Sequence, residues 1–142
     1  NNRRLHCFVA AQLSASLRNA LGDTGNFIVT YAPRRESEIK RFGYDQAKEL
    51  ARLVARELNA QFMTVFTISA YAREQKKLSA PERLRNAEIS FSIANNVGIA
   101  GRSVIIVDDV TTTGATLGRC AQLLNIIGAD TIIGAVVAAG EL

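Results

Sequence analysis

Apolar residues recur at helical spacing in three stretches of the chain, residues 5–21, 45–58 and 117–127. Spacings of three and four residues place such side chains on one face of a helix. Gly22 follows the first stretch and Gly128 follows the third, and glycine commonly ends a helix. Asp45 opens the second stretch and is of a residue type that caps helix N-termini. The pattern predicts three amphipathic helices.

Shorter apolar runs are typical of buried strands. They lie at residues 27–31, 62–68, 104–107 and 131–138, with 91–93 as a brief strand or an edge hairpin. Residues 104–107 contain no polar side chain, as expected of a central parallel strand that is covered on both faces. The alternation of strands and helices predicts an α/β fold, with a mainly parallel sheet flanked by helices, in a single domain of residues 1–142.

Two polar stretches interrupt this pattern. Residues 32–44 are predicted to be a loop, and residues 69–88 are long and charged. Ser79 and Glu82 have capping-box spacing, which predicts a short helix from Ala80. The two stretches hold nine of the 17 basic residues. Two solvated loops, a site for an anionic ligand and a nucleic-acid surface all remain open as interpretations, although few aromatic residues accompany the charges.

Composition limits the class of protein. Of 142 residues, 48% are hydrophobic and 21% are charged, which is ordinary for a folded globular protein. The apolar runs are too short to cross a membrane, and the basic start lacks the apolar core of a signal peptide. Cys7 and Cys120 lie far apart without zinc-binding spacing, so we expect buried free thiols in a reducing cytoplasm. The only histidine, His6, is predicted to be structural.

Residues 104–116 read VIIVDDVTTTGAT, a buried strand followed by two acids and a Thr-rich turn with one glycine. Ligands of parallel sheets bind at the carboxyl ends of strands, where Asp108 and Asp109 are expected. The turn leads into a helix, whose amides and hydroxyls suit a phosphate, and Gly114 allows the backbone to approach closely. A ribose 5-phosphate satisfies both groups, with its hydroxyls on the acids and its phosphate on the turn. The segment therefore predicts a ribose-phosphate site.

The acidic pair fits two further kinds of site less well. The acids could cap a turn, or hold a metal as in a phospho-receiver domain, but a receiver carries its acids after the first strand. A Walker loop needs a lysine after its glycine, whereas Ala115 follows Gly114. Acids turned away into a salt link, or a turn folded without room for an anion, would overturn the ribose-phosphate hypothesis.

Three segments resemble known family motifs. VIIVDDVTTTGAT resembles the phosphoribosyl-pyrophosphate (PRPP) motif of type I phosphoribosyltransferases: four hydrophobic residues, two acids and a Thr/Gly loop. GYDQAKELARLVA, residues 43–55, resembles the GFNQ-type segment of the ComF family. REQKKLSAPERLRNAEISF is similar to the Q-x-x-L…R-x-x-N…F stretch of that family, at Gln75, Leu78, Arg83 or Arg85, Asn86 and Phe91. The resemblance covers residues 27–139.

The resemblance implies a three-layer type I phosphoribosyltransferase fold with a mobile hood at about residues 70–90. It implies PRPP as the ligand and Mg2+ as the cofactor, with Asp108 and Asp109 holding ribose hydroxyls directly or through the waters of the metal. The residues that would bind the 5′-phosphate are Val110, Thr111, Thr112, Thr113, Gly114, Ala115 and Thr116. The further candidate catalytic residues, which would meet the pyrophosphate, are Arg34, Arg35, Arg73 and Lys77.

Two functional hypotheses share this ligand. In the first, the chain is a Mg-dependent phosphoribosyltransferase, in which an unidentified amine or base displaces pyrophosphate from PRPP. In the second, it is a catalytically silent ComF-like module that binds PRPP or a nucleotide and serves DNA uptake through partner proteins. The resemblance also makes a homodimer a candidate assembly.

Overall fold

The computed structural model of the chain describes residues 2–34, 36–68, 91–94, 98–111 and 113–140. The predicted hood and the predicted helix from Ala80 lie outside these ranges. The helices are α1 (Asn2–Leu21), α2 (Glu36–Phe42), α3 (Gln46–Glu57) and α4 (Ala115–Ile126). The strands are β1 (Ile28–Tyr31), β2 (Gln61–Phe62), β3 (Phe66–Ile68), β4 (Phe91–Ile93), β5 (Val104–Thr111) and β6 (Ile132–Ala139). None of these described helices has both the length and the apolar character needed to cross a membrane.

Four parallel strands form the main sheet, in the order β2-β1-β5-β6. β1 runs beside β5 up to Tyr31, which lies opposite Val107. β5 continues beside β6 as far as the pair Thr111–Ala139. The predicted parallel sheet is confirmed, and β5 is central because it has a partner strand on each side.

Helices cover both faces of this sheet. Successive side chains of a strand point to opposite faces, and in β5 Ile105 and Val107 pack with α1 and α3. Val104 and Ile106 pack on the other face, with the side chains of α4. All four residues are at most 1% exposed, and burying a side chain of this size contributes roughly 1.5–3 kcal/mol. The predicted three-layer arrangement is therefore confirmed.

α3 forms where the sequence predicts it, and its N-terminus is capped. Oδ1 of Asp45 accepts a hydrogen bond from the Lys48 backbone N–H at 3.0 Å, which is N-cap geometry. The buried side chains recur at helical spacing and are Ala47, Leu50, Ala51, Val54 and Ala55. Because α3 connects the parallel strands β1 and β2, its N-terminus lies at the carboxyl edge of the sheet.

The apolar run at residues 62–68, predicted as one strand, is divided between two sheets. β2 ends at Phe62 beside β1, whereas β3 begins at Phe66 and pairs antiparallel with β4. An apolar run reports burial and does not reveal which neighbour each residue pairs with. The brief strand or hairpin predicted at residues 91–93 is confirmed as β4.

The predicted loop at residues 32–44 contains the short helix α2. The Ile39 carbonyl accepts a hydrogen bond from the Gly43 N–H at 2.8 Å, and Gly43 has a φ of +79°, a conformation that commonly ends helices. Lys40 Nζ lies 3.9 Å from Glu36 Oε2, one turn away. A helix of seven mostly polar residues has no apolar periodicity, which is why the pattern did not predict it.

The two free cysteines lie in different environments. Cys120 on α4 is buried, as predicted, but Cys7 on α1 is exposed. The prediction of a buried thiol at Cys7 was therefore wrong. Some apolar side chains of α1 also face solvent: Phe8, next to Cys7, is 63% exposed. Helical spacing alone did not show which face of α1 packs against α3.

Candidate functional site

A notch opens beside β5 where β1 ends. The ladder between the strands closes with Tyr31 opposite Val107, and the Ala32 N–H makes one more hydrogen bond, 3.0 Å to the Val107 carbonyl. β5 runs on beside β6 through Asp108 to Thr111. The sequence predicted that the acids follow a strand ending at residue 107. In the structure they lie within β5, because β6 is long enough to pair with this part of β5.

The notch is the topological switch point of the sheet. After β1 the chain crosses through α3 to β2, and after β5 it crosses through α4 to β6, which lies in the opposite direction. The two helices also cover opposite faces. Open parallel sheets bind ligands in the crevice that such a reversal creates. The acids thus lie where topology alone predicts a ligand.

Asp108 and Asp109 are oriented by the main chain around them. Asp108 is 7% exposed, and its Oδ1 accepts the Asp109 N–H at 2.9 Å. Asp109 is half-buried, and its Oδ1 accepts the Val110 N–H at 2.7 Å. Hydrogen bonds of this kind offset the cost of removing a carboxylate from water.

Arg34 reaches both acids from the end of β1. Its Nη2 lies 3.5 Å from Oδ1 of Asp108 and forms an ion pair with Oδ1 of Asp109. The side chains of Arg34, Asp108 and Asp109 are 16%, 10% and 19% exposed, so solvent screens these charges only weakly. Consecutive side chains of a strand point to opposite faces of the sheet. One guanidinium nevertheless contacts both carboxylates, and we infer that it does so because it lies beside the edge of β5, where β1 has ended.

This ion pair differs from the role that the sequence predicts for Arg34. The prediction gave the guanidinium to a pyrophosphate and left both acids to a diol, whereas the structure brings the cation and the acids together. The salt link counts against a diol site whose carboxylates stand unpaired. It also places three predicted site residues at one point of the notch.

The Thr-rich turn after β5 is held by its own hydroxyls. Thr111 Oγ1 accepts the Gly114 N–H at 3.1 Å, and Thr113 Oγ1 accepts the Ala115 N–H at 3.2 Å. The N–H groups of Gly114 and Ala115, which were predicted to face a phosphate, are therefore hydrogen-bonded within the turn. The first backbone N–H groups of a helix have no intrahelical acceptor, so those that follow in α4 can still bind an anion. Val110, Thr113, Ala115 and Thr116 are exposed, Thr111 and Gly114 are partly exposed, and Thr112 lies outside the described residues.

The positive φ angle at position 114 favours glycine there. It has a φ of +73° at the start of α4, a left-handed conformation that glycine adopts without strain. A Cβ added there would meet no atom of the described residues within 4 Å. The described residues therefore leave the space beside Gly114 open, at the positive end of a twelve-residue helix, where an anion is favoured.

Cys120 lies on the α4 face of the sheet, close to Asp108. Burial raises the pKa of the Cys120 thiol from its ordinary value of 9.0 to about 12, and the negative charge of Asp108 adds to the rise. The sequence did not predict this neighbour. The available signal was helical spacing, which places Cys120 and Leu124 on the face that packs against Ile106.

The family of the chain follows from comparison with known proteins. The phosphoribosyl transferase domain matches residues 44–141, more than half of the chain. The chain belongs to the phosphoribosyltransferase family. The matched residues include Asp108, Asp109 and the Thr-rich turn. Arg34 lies before them, so its place in the site rests on its ion pair.

Curated relatives agree with the resemblance to the ComF family. DNA utilization protein YhgH of Escherichia coli O157:H7 is 37% identical over 93 residues, which are 65% of this chain and 40% of that protein. Competence protein F of Haemophilus influenzae is 34% identical over 94 residues, which are 65% of this chain and 41% of that protein. The chain thus spans about two fifths of the length of these relatives.

A solved structure shares the fold. Glutamine phosphoribosylpyrophosphate amidotransferase from B. subtilis, complexed with ADP and GMP, superposes with a TM-score of 0.63. The superposition covers 93% of this chain and 26% of that one, at 19% sequence identity. Likeness at this identity establishes the fold, and the predicted type I phosphoribosyltransferase fold is confirmed.

The donor atoms at the notch of this phosphoribosyltransferase-family chain fit Mg2+. The ion prefers oxygen ligands, and it usually takes one or two carboxylates together with phosphates and water. Asp108 and Asp109 supply two carboxylates. Among the residues that the structure describes, no group of three or more His, Cys, Asp or Glu side chains is arranged to bind a metal. Mg2+ at the notch would therefore be held by these two acids, directly or through water, and otherwise by its ligand.

The remaining predicted residues divide into two groups. Arg35, Arg73 and Lys77 lie outside the described residues, so their contact with pyrophosphate stays a prediction. His6 packs edge to face against Tyr44, with ring centroids 5.7 Å apart. That contact joins α1 to the residue before the α3 cap and is consistent with the structural role predicted for His6.

Proposed function

We propose that the chain binds PRPP with Mg2+ at the notch and transfers the phosphoribosyl group to a nitrogen nucleophile, with release of pyrophosphate. The observation that carries the proposal is the position of Asp108 and Asp109 at the switch point of the sheet, a few residues before the N-terminus of α4. Membership of the phosphoribosyltransferase family supports it.

Each part of this ligand has a matching group in the chain. The carboxylates of Asp108 and Asp109 accept hydrogen bonds from the ribose hydroxyls. The 5′-phosphate binds at the N-terminus of α4, where the helix dipole and the open space beside Gly114 favour an anion. The guanidinium of Arg34 binds the pyrophosphate, whose oxygens suit its paired donors.

The transfer exchanges one bond at C1 of the ribose. The bond to the pyrophosphate oxygen breaks and its electrons leave with pyrophosphate, while nitrogen forms the new bond and its proton passes to the departing pyrophosphate. Positive charge builds on the ribose ring, and the carboxylates of Asp108 and Asp109 stabilise it. Bound Mg2+ supplies positive charge to the leaving pyrophosphate. Positioning by the notch contributes the rest, so the reaction needs no histidine.

The resemblance implies a hood at about residues 70–90, which lie outside the described residues, within a single domain of residues 1–142. Arg73 and Lys77 add positive charge towards the pyrophosphate, together with Arg35. Closure of the hood excludes water, which would otherwise hydrolyse PRPP. Protection of this stretch from limited proteolysis by PRPP tests the assignment, and unchanged cleavage would contradict it.

A second candidate function is binding without turnover. The relatives named DNA utilization protein and Competence protein F favour it, since both names refer to DNA uptake or use. In this case the notch holds PRPP or a nucleotide, and DNA-uptake proteins or a second copy of the chain respond to the occupied site. Both candidates use the same ligand, so a binding measurement alone does not separate them.

Pyrophosphate release from PRPP with Mg2+, across a panel of bases and amines, tests the enzyme. We expect release with at least one acceptor. Asp108→Asn should lower it by about a hundredfold, because hydrogen bonds to charged groups contribute about 1.5–3 kcal/mol. Asp130→Asn is a matched control, since it removes an exposed carboxylate before the amino end of β6, at the opposite edge of the sheet. It should leave the rate unchanged.

Thermal stability in the presence of PRPP separates the remaining cases. Stabilisation by about 5 °C at saturating PRPP, without turnover on any acceptor, would favour the binding module. Absence of stabilisation would contradict both candidates. Binding of DNA that weakens steeply with salt would then favour a basic nucleic-acid surface instead.

A further inference from the structure

Arg34 engages Oδ1 of both Asp108 and Asp109, the carboxylates that the proposed function gives to a ribose diol. Oδ1 of Asp109 accepts from the Val110 N–H at 2.7 Å and pairs with the Arg34 guanidinium, while Oδ1 of Asp108 lies 3.5 Å from the same Nη2. Guanidinium N–H groups and sugar O–H groups are both donors. A diol that approaches the acids therefore competes with Arg34 for them.

Separating the Arg34 guanidinium from the two acids costs free energy. The Arg34 side chain is only 16% exposed where it contacts the two acids. Breaking a largely buried ion pair leaves charges uncompensated, which costs far more than breaking an exposed one. Arg34 therefore needs a second anion close to the notch before it releases Asp108 and Asp109.

Ribose phosphates differ in what they offer to Arg34. PRPP carries a pyrophosphate at C1, and phosphate oxygens accept a guanidinium in a paired, charge-assisted geometry. Ribose 5-phosphate carries only the 5-phosphate, which the proposed function places at the N-terminus of α4. With this ligand the guanidinium has no replacement partner and stays on Asp108 and Asp109.

We propose that Arg34 sets the ligand specificity of the site by keeping Asp108 and Asp109 from a ribose diol until a pyrophosphate draws the guanidinium away. The inference rests on the proposed function, because it concerns the choice between ribose phosphates at that same site. A residue that only bound pyrophosphate would raise the affinity for PRPP and leave the affinity for ribose 5-phosphate unchanged. Arg34 also opposes ribose 5-phosphate, and this repulsion sharpens the choice between the two ligands.

Calorimetric titration with PRPP and with ribose 5-phosphate, each with Mg2+ at matched ionic strength, compares the wild-type chain with Arg34→Gln. Arg34→Gln should bind PRPP about tenfold more weakly and ribose 5-phosphate about three- to tenfold more tightly. Arg102→Gln is the matched control, because it removes the same charge just before the amino end of β5. It should leave both affinities within about twofold.

Unchanged or weaker binding of ribose 5-phosphate by Arg34→Gln would overturn the inference, because Arg34 would then act as a pyrophosphate ligand only. Failure of the wild-type chain to bind PRPP is a separate result, which removes the proposed function and this inference with it. If Arg34→Gln does not fold, Arg34→Lys keeps the charge and loses the planar fork. Arg34→Lys should also weaken PRPP binding and tighten ribose 5-phosphate binding, each by a smaller factor. Absence of these two changes would contradict the inference.

Discussion

Tyr31 of β1 lies opposite Val107 of β5, and this pair closes the ladder between the two strands. The Ala32 N–H makes one more hydrogen bond, to the Val107 carbonyl, and the chain then reaches Pro33. Arg34 follows directly and meets the acids of β5. If β1 paired with β5 for two residues more, its backbone would lie beside those acids. The length of one strand thus decides which charges meet at the ligand edge.

The ion pair between Arg34 and Asp109 should stabilise the fold measurably. Arg34→Gln should lower the free energy of unfolding by about 2 kcal/mol, since it removes a cation that contacts two largely buried carboxylates. Asp109→Asn should cost about 1 kcal/mol, and the double variant less than the sum of the two, with a coupling of about 1 kcal/mol. Urea denaturation of the four proteins measures this cycle.

A matched cycle between Arg34 and the distant Asp130 serves as the control. These two variants should add to within about 0.5 kcal/mol, because they share no partner. Equal coupling in both cycles would show that Arg34 acts through the net charge of the chain. Additivity of Arg34→Gln and Asp109→Asn would show that the ion pair does not form in solution.

Local signals allowed much of the fold to be predicted. The uninterrupted apolar run at residues 104–107 identified the central strand, and Gly22 and Gly128 marked the ends of α1 and of the turn after α4, both with positive φ. Asp45 identified the start of α3 because a cap depends on a residue three positions away. In each case the residues that determine the structure are close in sequence.

Contacts between distant residues account for what the sequence did not predict. The break after Phe62 depends on β4, about thirty residues further along the chain. The pairing of Arg34 with Asp109 depends on the order of strands in the sheet, which brings residues of β1 and β5 together. The acids and the turn were predicted as site residues, but the partner of the acids was not, because a charge pattern does not specify which opposite charge it meets.

The Asp45 cap should be replaceable by asparagine but not by alanine. Asp45→Ala removes the acceptor of the Lys48 N–H and should cost about 1 kcal/mol of stability. Asp45→Asn keeps an acceptor at the same position, and asparagine occupies this place in the GFNQ-type segment, so its cost should be at most a few tenths of a kcal/mol. Thermal or urea unfolding measures both. Equal losses from the two variants would mean that the charge of Asp45, and not its capping bond, stabilises α3.

The buried thiol of Cys120 should make stability fall in alkaline solution. The pKa of this thiol is raised to about 12 by burial and by Asp108, whereas in the unfolded chain it ionises at 9.0. Its contribution is therefore complete below pH 9 and is lost as the pH rises towards 12, because only the unfolded state releases the proton in that interval. The advantage of the wild-type chain over Cys120→Ala should shrink by about 2 kcal/mol between about pH 8 and pH 10.5. A constant difference would contradict the raised pKa.

The exposed Cys7 should react with a thiol reagent well before Cys120. Thiolate is the reacting form, and Cys120 is buried with a raised pKa while Cys7 lies at the surface. Mass spectrometry after brief treatment with iodoacetamide at neutral pH should find the label on Cys7, and on both residues only after denaturation. Cys7→Ser should remove the early label. Comparable early labelling of Cys120 would show that α4 opens readily from the sheet.

Two glycines of the same segment should respond oppositely to alanine. Gly114 has a φ of +73°, so Gly114→Ala should cost about 1–2 kcal/mol in backbone strain, although no described atom lies within 4 Å of the new methyl group. Gly118 lies inside α4, is exposed and has the same open surroundings, so Gly118→Ala should stabilise the chain by about 0.5–1 kcal/mol. Urea unfolding measures both changes, and PRPP titration of Gly114→Ala adds a second readout.

If the turn binds the 5′-phosphate, the methyl group occupies space that the anion needs, and affinity should fall by about tenfold in Gly114→Ala but not in Gly118→Ala. Loss of stability with unchanged affinity would place the phosphate away from Gly114.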